Sequence, residues 1–294
     1  MSATSRPSRP AAATLALAAL LGALAVWIAF AGIPAWHVQD MSAYRGAAER
    51  LATGAPLYAP PGSILDSADV YRYAPWFAVL WMPFMAIPDE PMRVAWSAVL
   101  IAASLVAVLP LLRTPTPLRV AIAGLGLVVC LRAAAIGNVE PLMAAALVHG
   151  VERRSGPLWI AAAASLKGGP LALALVYAGR GEWRRVAVTL ALTAVLVLPM
   201  LLFDLSNYRT DAGASISVLA LAGPIPWLLI LTVAALATLS LARTRWAWLV
   251  AAVTALLALP RLGFYNFPLL LVGVNGLVPR RDEAASRTAA ATST

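Results

Sequence analysis

Cysteine, histidine and charge are all scarce in this 294-residue chain. One cysteine, Cys130, lies inside an apolar run, so an intramolecular disulfide, a thiolate zinc site and a Cys-x-x-Cys redox pair are all excluded. The lone thiol reads as lipid-buried packing. Histidine occurs twice, at His37 and His149, too few and too far apart in sequence for a metal-binding set. The polar part of the chain also lacks an Asp-x-Asp pair of the kind that nucleotide-sugar enzymes use, so neither a bound metal nor another cofactor is expected. Charged residues make up 12% of the chain. Against that stand 61% hydrophobic residues and a mean hydropathy of +0.81, more apolar surface than one soluble core can hide. Lipid must be the solvent for most of it. The net charge of +9 does not point to nucleic acid, because the basic residues fall in short clusters between apolar segments and form no single face.

Those clusters read as topology determinants in an all-α, polytopic membrane protein. Residues 1–10 are polar and carry Arg6 and Arg9; Ala11 to Ile33 then runs without a charge for longer than the ~20 residues that cross a bilayer. This is longer than a signal-peptide core, so the expectation is an uncleaved first transmembrane helix starting in the cytoplasm of a multi-pass cell-membrane protein. Further apolar segments occupy about Pro75 to Pro88, Met92 to Leu112, Leu118 to Ala135, Val139 to Val151, Leu158 to Ala178, Val186 to Phe203, Pro224 to Ala242, Trp246 to Leu259 and Leu262 to Val278. Several are short, giving about 8 to 10 transmembrane or re-entrant helices in one membrane domain over residues 11–278. The tail, 279–294, has no apolar periodicity and reads as a disordered cytoplasmic end.

Arg153 and Arg154, Arg180 with Arg184 and Arg185, Arg243 and Arg245, and Arg280 and Arg281 all resemble cytoplasmic turns. Two of these clusters bracket Leu158 to Ala178, a segment about one helix long. Either the break at Lys167-Gly-Gly-Pro170 lets two half-helices rise and return, or the segment crosses straight and one cluster violates the rule.

The longest water-compatible insert is the first external loop, residues 34–74, on the non-cytoplasmic side of this topology. Within it Met41, Tyr44, Ala47, Ala48 and Leu51 recur at helical spacing and Thr53-Gly54-Ala-Pro56 supplies a stop, which predicts an amphipathic helix on the membrane surface. Asp40 falls at its N-terminal boundary, where capping is a sufficient explanation; Tyr44, one turn on, shares its face, and the pair could equally meet a polar substrate. Tyr58, Tyr71, Tyr73 and Trp76 form an aromatic cluster that suits either sugar stacking or an interfacial belt. The connection Asp204 to Gly223 reads as a cover for the same region, as an acceptor-binding segment or, equally well, as a solvated link.

The pattern Asp40-x3-Tyr44-x-x-Ala47, then Arg50-Leu-x-x-Gly54-x-Pro-Leu-Tyr58, then Tyr71-x-Tyr73-x-Pro75 at the start of an apolar segment, resembles the first external loop of the GT87 (DUF2029) family. These are polyprenyl-phosphate-mannose-dependent mannosyltransferases of the GT-C class. Gly137-Asn138-Val-Glu140 is similar to the family's Gly-Gln-x-Asn element, with Asn and Glu in place of Gln and Asn, and Ser165-Leu-Lys167-x-x-Pro170 is similar to its Lys-x-x-Pro element. The family's late His-containing element has no counterpart around Pro260 to Asn266.

The resemblance implies a GT-C-like fold and an inverting hexosyltransferase that moves a sugar, mannose in the family, from a polyprenyl-phosphate donor to a glycolipid or glycan acceptor of the cell envelope. Asp40 matches the loop carboxylate that takes the acceptor proton. Negative charge building on the leaving phosphate calls for fixed cations, and Lys167, Arg72 and Arg261 each sit in or beside an apolar segment where a charge is costly. The alternatives are that Lys167 snorkels from a broken helix, Arg72 anchors at the headgroups and Arg261 occupies a tight turn. Tyr44, Tyr58, Tyr73 and Asn138 are the expected substrate-binding set, whereas Glu140 fits a plain loop. Membrane lipid is the other expected partner, since a polyprenyl donor would reach its site laterally. Two other readings stand beside the enzyme: a transporter or lipid-carrier flippase built on Lys167 and the broken helix, and an inactive GT-C-like assembly subunit.

Overall fold

The computed structural model describes residues 37–58, 70–113, 115–206, 208 and 215–277. The first apolar segment, the tail and the residues Asp66, Asp69, Asn207, Arg209 and Asp211 lie outside them. Among the described residues the regular structure is all helical, with no strand. Four helices are long and apolar enough to cross a membrane, Asp89–Leu112, Pro117–Ala135, Trp183–Leu202 and Pro224–Leu241, which defines a membrane-embedded helical protein.

Among the described residues the first helix is α1 (Gln39–Thr53), closed at Gly54 by a left-handed glycine whose neighbourhood returns hydrogen bonds to the Arg50 and Leu51 carbonyls. Met41, Ala43, Tyr44, Ala47 and Ala48 are buried, so the expected amphipathic helix is present and its apolar face is turned onto protein. A short helix, α2 (Pro75–Trp81), and a 3-10 turn (Met82–Ala86) replace the expected segment Pro75 to Pro88. They pack along α1 and do not run away from it: Tyr73 meets Tyr44 at one end, and Arg45 donates to the Met85 and Ile87 carbonyls at the other.

From there α3 (Asp89–Leu112) and α4 (Pro117–Ala135) form an antiparallel pair. Next come α5 (Glu140–Gly150), α6 (Gly156–Leu166), a 3-10 turn (Gly169–Leu173) and α7 (Ala174–Arg180). α8 (Trp183–Val197) continues as a 3-10 turn to Leu202, followed by α9 (Val218–Ala222), α10 (Pro224–Leu241), α11 (Ala247–Leu257), a 3-10 turn (Phe264–Leu269) and α12 (Leu270–Gly276).

The break at Lys167 makes a hairpin. The Tyr177 hydroxyl donates to the Val151 carbonyl, Arg180 reaches Glu152, and Arg185 donates to the Val151 and Arg153 carbonyls, so the start of α6 and the end of α7 lie together. Both basic clusters therefore sit at one end of the molecule, and Lys167 is at the apex near the other. Arg180 also donates to the Ala242 carbonyl and Trp248 to Glu152, which brings Arg243 and Arg245 to the same end.

Helix length sets the depth of what lies between. At 1.5 Å per residue the 24-residue α3 is about 36 Å long, enough for a ~30 Å hydrocarbon core. α5, α6 and α11 have 11 residues each, or about 16 Å. Three short helices that leave the basic end therefore stop well inside the thickness that α3 spans. The space above them is where the polar residues gather.

Candidate functional site

Asp40 is placed by backbone geometry. The Val38 N–H donates to the Ala135 carbonyl at 2.9 Å and the Asp40 N–H to that of Ile136 at 2.8 Å, docking the first turn of α1 on the last turn of α4. Such contact needs a chain that turns sharply after α4, and Gly137 turns it with φ of 81°. A Cβ at Gly137 would meet Val38 Cγ1 at 2.9 Å and the Val38 carbonyl oxygen at 3.0 Å, so this is also a close approach of two backbones. Val38 itself is held at φ of 46°, a conformation a β-branched residue adopts only when its surroundings force it. Asp40 does not cap α1. Val38 is the cap residue, and the Asp40 carboxylate instead accepts from Asn138 Nδ2 at 2.6 Å.

Asn138 cannot turn its amide round. Its Oδ1 accepts from the Glu140 N–H at 3.1 Å and from Lys167 Nζ at 3.1 Å, which leaves the NH2 group aimed at Asp40. Lys167, the chain's single lysine, also donates to Glu140 Oε1 at 2.9 Å and lies over the Tyr265 ring. Glu140 Oε1 accepts a further bond from Asn266 Nδ2 at 2.6 Å. The result is one connected run of five residues, Asp40, Asn138, Lys167, Glu140 and Asn266, drawn from four parts of the chain. Glu140 is thus no loop residue: it is buried, opens α5 and balances Lys167.

These groups line or underlie a cavity of about 500 Å³, within the ~300–1,000 Å³ usual for small-molecule sites. Its walls bring together Asp40, Tyr44, Arg72, Tyr73, Asn138, Lys167 and Arg261, seven of the eight residues singled out in the sequence. Tyr58 is the exception. It lies behind the wall, donating to the Tyr73 carbonyl at 3.0 Å and packed on Tyr71, Phe203 and Tyr208. Tyr58, Tyr71 and Tyr73 are all buried, so they form an internal brace and no interfacial belt. Tyr44 is fully buried, its hydroxyl 3.3 Å from that of Tyr73 and its ring edge-on to Tyr73, Phe77 and Trp96.

The sequence marks Tyr208 only as part of the connection after Asp204, and gives Tyr265 and Asn266 no role. Tyr208 lines the cavity and donates to the Arg72 carbonyl at 3.0 Å, so part of the connection after Asp204 does cover the site. Tyr265 and Asn266 follow Arg261 in a stretch with no helical period, and only its polar residues amid apolar sequence could have marked them.

Three cations, Arg72, Lys167 and Arg261, and two carboxylates, Asp40 and Glu140, meet here. Lys167 is matched by Glu140 at contact distance. Burial and the neighbouring Arg261 guanidinium both lower the pKa of Arg72, the signature of two like charges held close in a partly dehydrated place. Arg261 Nε is buried and has no hydrogen-bond partner among the described residues. Burial also pushes the Asp40 carboxyl above its usual range; the Asn138 N–H and the charges of Lys167, Arg261 and Arg72 pull the other way. The cavity lining thus combines a carboxylate acceptor, Asp40, with the guanidinium groups of Arg72 and Arg261. Among the described residues no group of three or more His, Cys, Asp or Glu is placed to hold a metal ion.

No protein-family model, curated protein or solved structure matches the chain.

Proposed function

We propose that the protein is a GT-C-type membrane glycosyltransferase that moves a sugar, mannose by resemblance, from a polyprenyl-phosphate donor to a glycolipid or glycan of the cell envelope. The observation that carries this reading is the grouping of the Asp40 carboxylate with Arg72 and Arg261 on one cavity whose floor lies within the depth that α3 spans. The positive-inside rule puts the arginine-rich end in the cytoplasm, and the cavity then opens on the opposite side, where a lipid-linked sugar can enter sideways from the membrane.

In this mechanism the acceptor hydroxyl lies against Asp40. As its oxygen attacks the anomeric carbon, the proton passes to the carboxylate and the bond from that carbon to the phosphate oxygen breaks. Polyprenyl phosphate leaves with the bonding pair, its added charge met by Arg72 and Arg261, and the sugar inverts. Lys167 is already engaged by Glu140, so its main task is to hold Asn138, and through it Asp40, in place.

The test is an assay of purified protein with a panel of polyprenyl-phosphate sugars and extracted envelope lipids. A new glycosidic bond from at least one donor supports the enzyme. Folded protein that transfers from none, or that carries a lipid-linked sugar across vesicles without forming a bond, removes it.

A further inference from the structure

A second cavity, of about 590 Å³, lies at the opposite end of the molecule and takes no part in the proposed transfer. It is lined by Glu152, Arg154, Pro157, Arg184, Arg185 and Val188, and so sits between the base of the α6–α7 hairpin and the first turns of α8. Two of its arginines are free to bind. Arg185 is committed to Glu182, to the Val151 and Arg153 carbonyls and to the Tyr177 ring. Arg154 and Arg184 have neither an ion pair nor a hydrogen bond from their side chains among the described residues, and both are exposed.

The surroundings fix the depth of the cavity. Trp159, Trp183 and Trp246 are all exposed at this end, the placement that indole rings take at a membrane–water boundary. α8 begins at Trp183 and, among its residues, Thr189 alone is fully buried, so it offers lipid an apolar flank from there on. Arg184 stands one residue inside that boundary, and Val188, one turn deeper, is an exposed apolar wall. Guanidinium groups at headgroup level above an apolar wall match a phosphate with acyl chains below it.

We propose that this cavity holds the headgroup of an anionic phospholipid, with Arg154 and Arg184 on the phosphate and the acyl chains along Val188 and the outer face of α8. Glu152 does not oppose this, because Arg180 and Trp248 hold its carboxylate. A soluble phosphate would gain nothing from the apolar wall. A lipid in this place ties the foot of the hairpin to α8, and the hairpin carries Lys167 at its tip, so occupancy steadies the element that floors the first cavity. This site does not depend on what chemistry the first cavity performs.

Native mass spectrometry of the full chain, released from micelles doped with phosphatidylglycerol or phosphatidylcholine, tests it. The wild type should retain one phosphatidylglycerol in preference to phosphatidylcholine. R154A/R184A should weaken that retention by about fivefold per arginine removed. R243A/R245A takes the same charge from the same end but from outside the cavity and should retain the lipid as the wild type does. Thermal unfolding in phosphatidylcholine, where all three proteins should melt alike, shows that the pocket variant is folded; phosphatidylglycerol should then raise the melting temperature of the wild type and the control variant only. Equal losses from the two double variants would mean diffuse charge and overturn the site. Displacement of the lipid by millimolar inorganic phosphate would overturn its assignment to lipid.

Discussion

Gly137 carries the sharpest test at the residue scale. Any side chain there faces both a left-handed φ and the Val38 backbone, so Gly137→Ala should cost about 2 kcal/mol or more and lower the thermal midpoint in detergent. Because Val38 precedes Asp40 by two residues, the same change should cut transfer beyond what the lost stability explains. Glu140 and Lys167 make the second test. Removing one partner of a buried pair leaves the other charge uncompensated, at about 3–5 kcal/mol, so Glu140→Gln and Lys167→Met should each destabilise strongly and the double variant should recover part of the loss. A double-mutant cycle by thermal unfolding measures the coupling; strictly additive losses would dissolve the pair. Asp40 sets the third. Only its carboxylate can take a proton, and burial raises its pKa, so transfer should fail on acidification at a higher pH than an ordinary aspartate would give, and recover as pH rises. A pH–rate profile with its acid limb at or below the usual aspartate value would contradict that environment.

At the scale of elements, the hairpin at Lys167 shows what could be read from the sequence and what could not. Two arginine clusters one helix apart, with Gly-Gly-Pro between them, narrowed the choice to two topologies. The choice itself rests on side-chain and backbone contacts between Tyr177, Arg180, Arg185 and residues 151–153, which no local pattern encodes. α1 was legible because its apolar period of Met41, Tyr44 and Ala48 matches a buried face. Its partner was not, because the exposed-looking polarity of the loop gave no sign that Val38 and Asp40 bond to the end of α4. Glu140 was misread for the same reason: its burial depends on Lys167 and Asn266, which are remote in sequence. The hairpin is checked by labelling single cysteines. Ser155→Cys and Trp183→Cys, one at each foot, should react with a membrane-impermeant thiol reagent from the same side, Cys130 being buried and silent. Reaction from opposite sides would restore the straight crossing.

For the whole molecule the governing feature is unequal helix length. Long helices such as α3 have the length and apolarity to span a bilayer, while the 11-residue α5, α6 and α11 are less than half as long and leave a polar recess beyond their ends. That division reconciles an apolar chain with five ionisable side chains in one place, since each charge lines or underlies the recess and none need face lipid. It also separates the two ends, a cavity with Asp40 at one and an arginine-rich, tryptophan-rimmed surface at the other. The proposed role of Asp40 as the base for sugar transfer is tested most directly by comparing the wild type with Asp40→Asn, which keeps the size of the side chain but cannot accept the proton. With donor binding and folding matched, the rate of glycosidic bond formation should fall by about 10²–10⁴-fold. Transfer by Asp40→Asn at the wild-type rate would contradict the account.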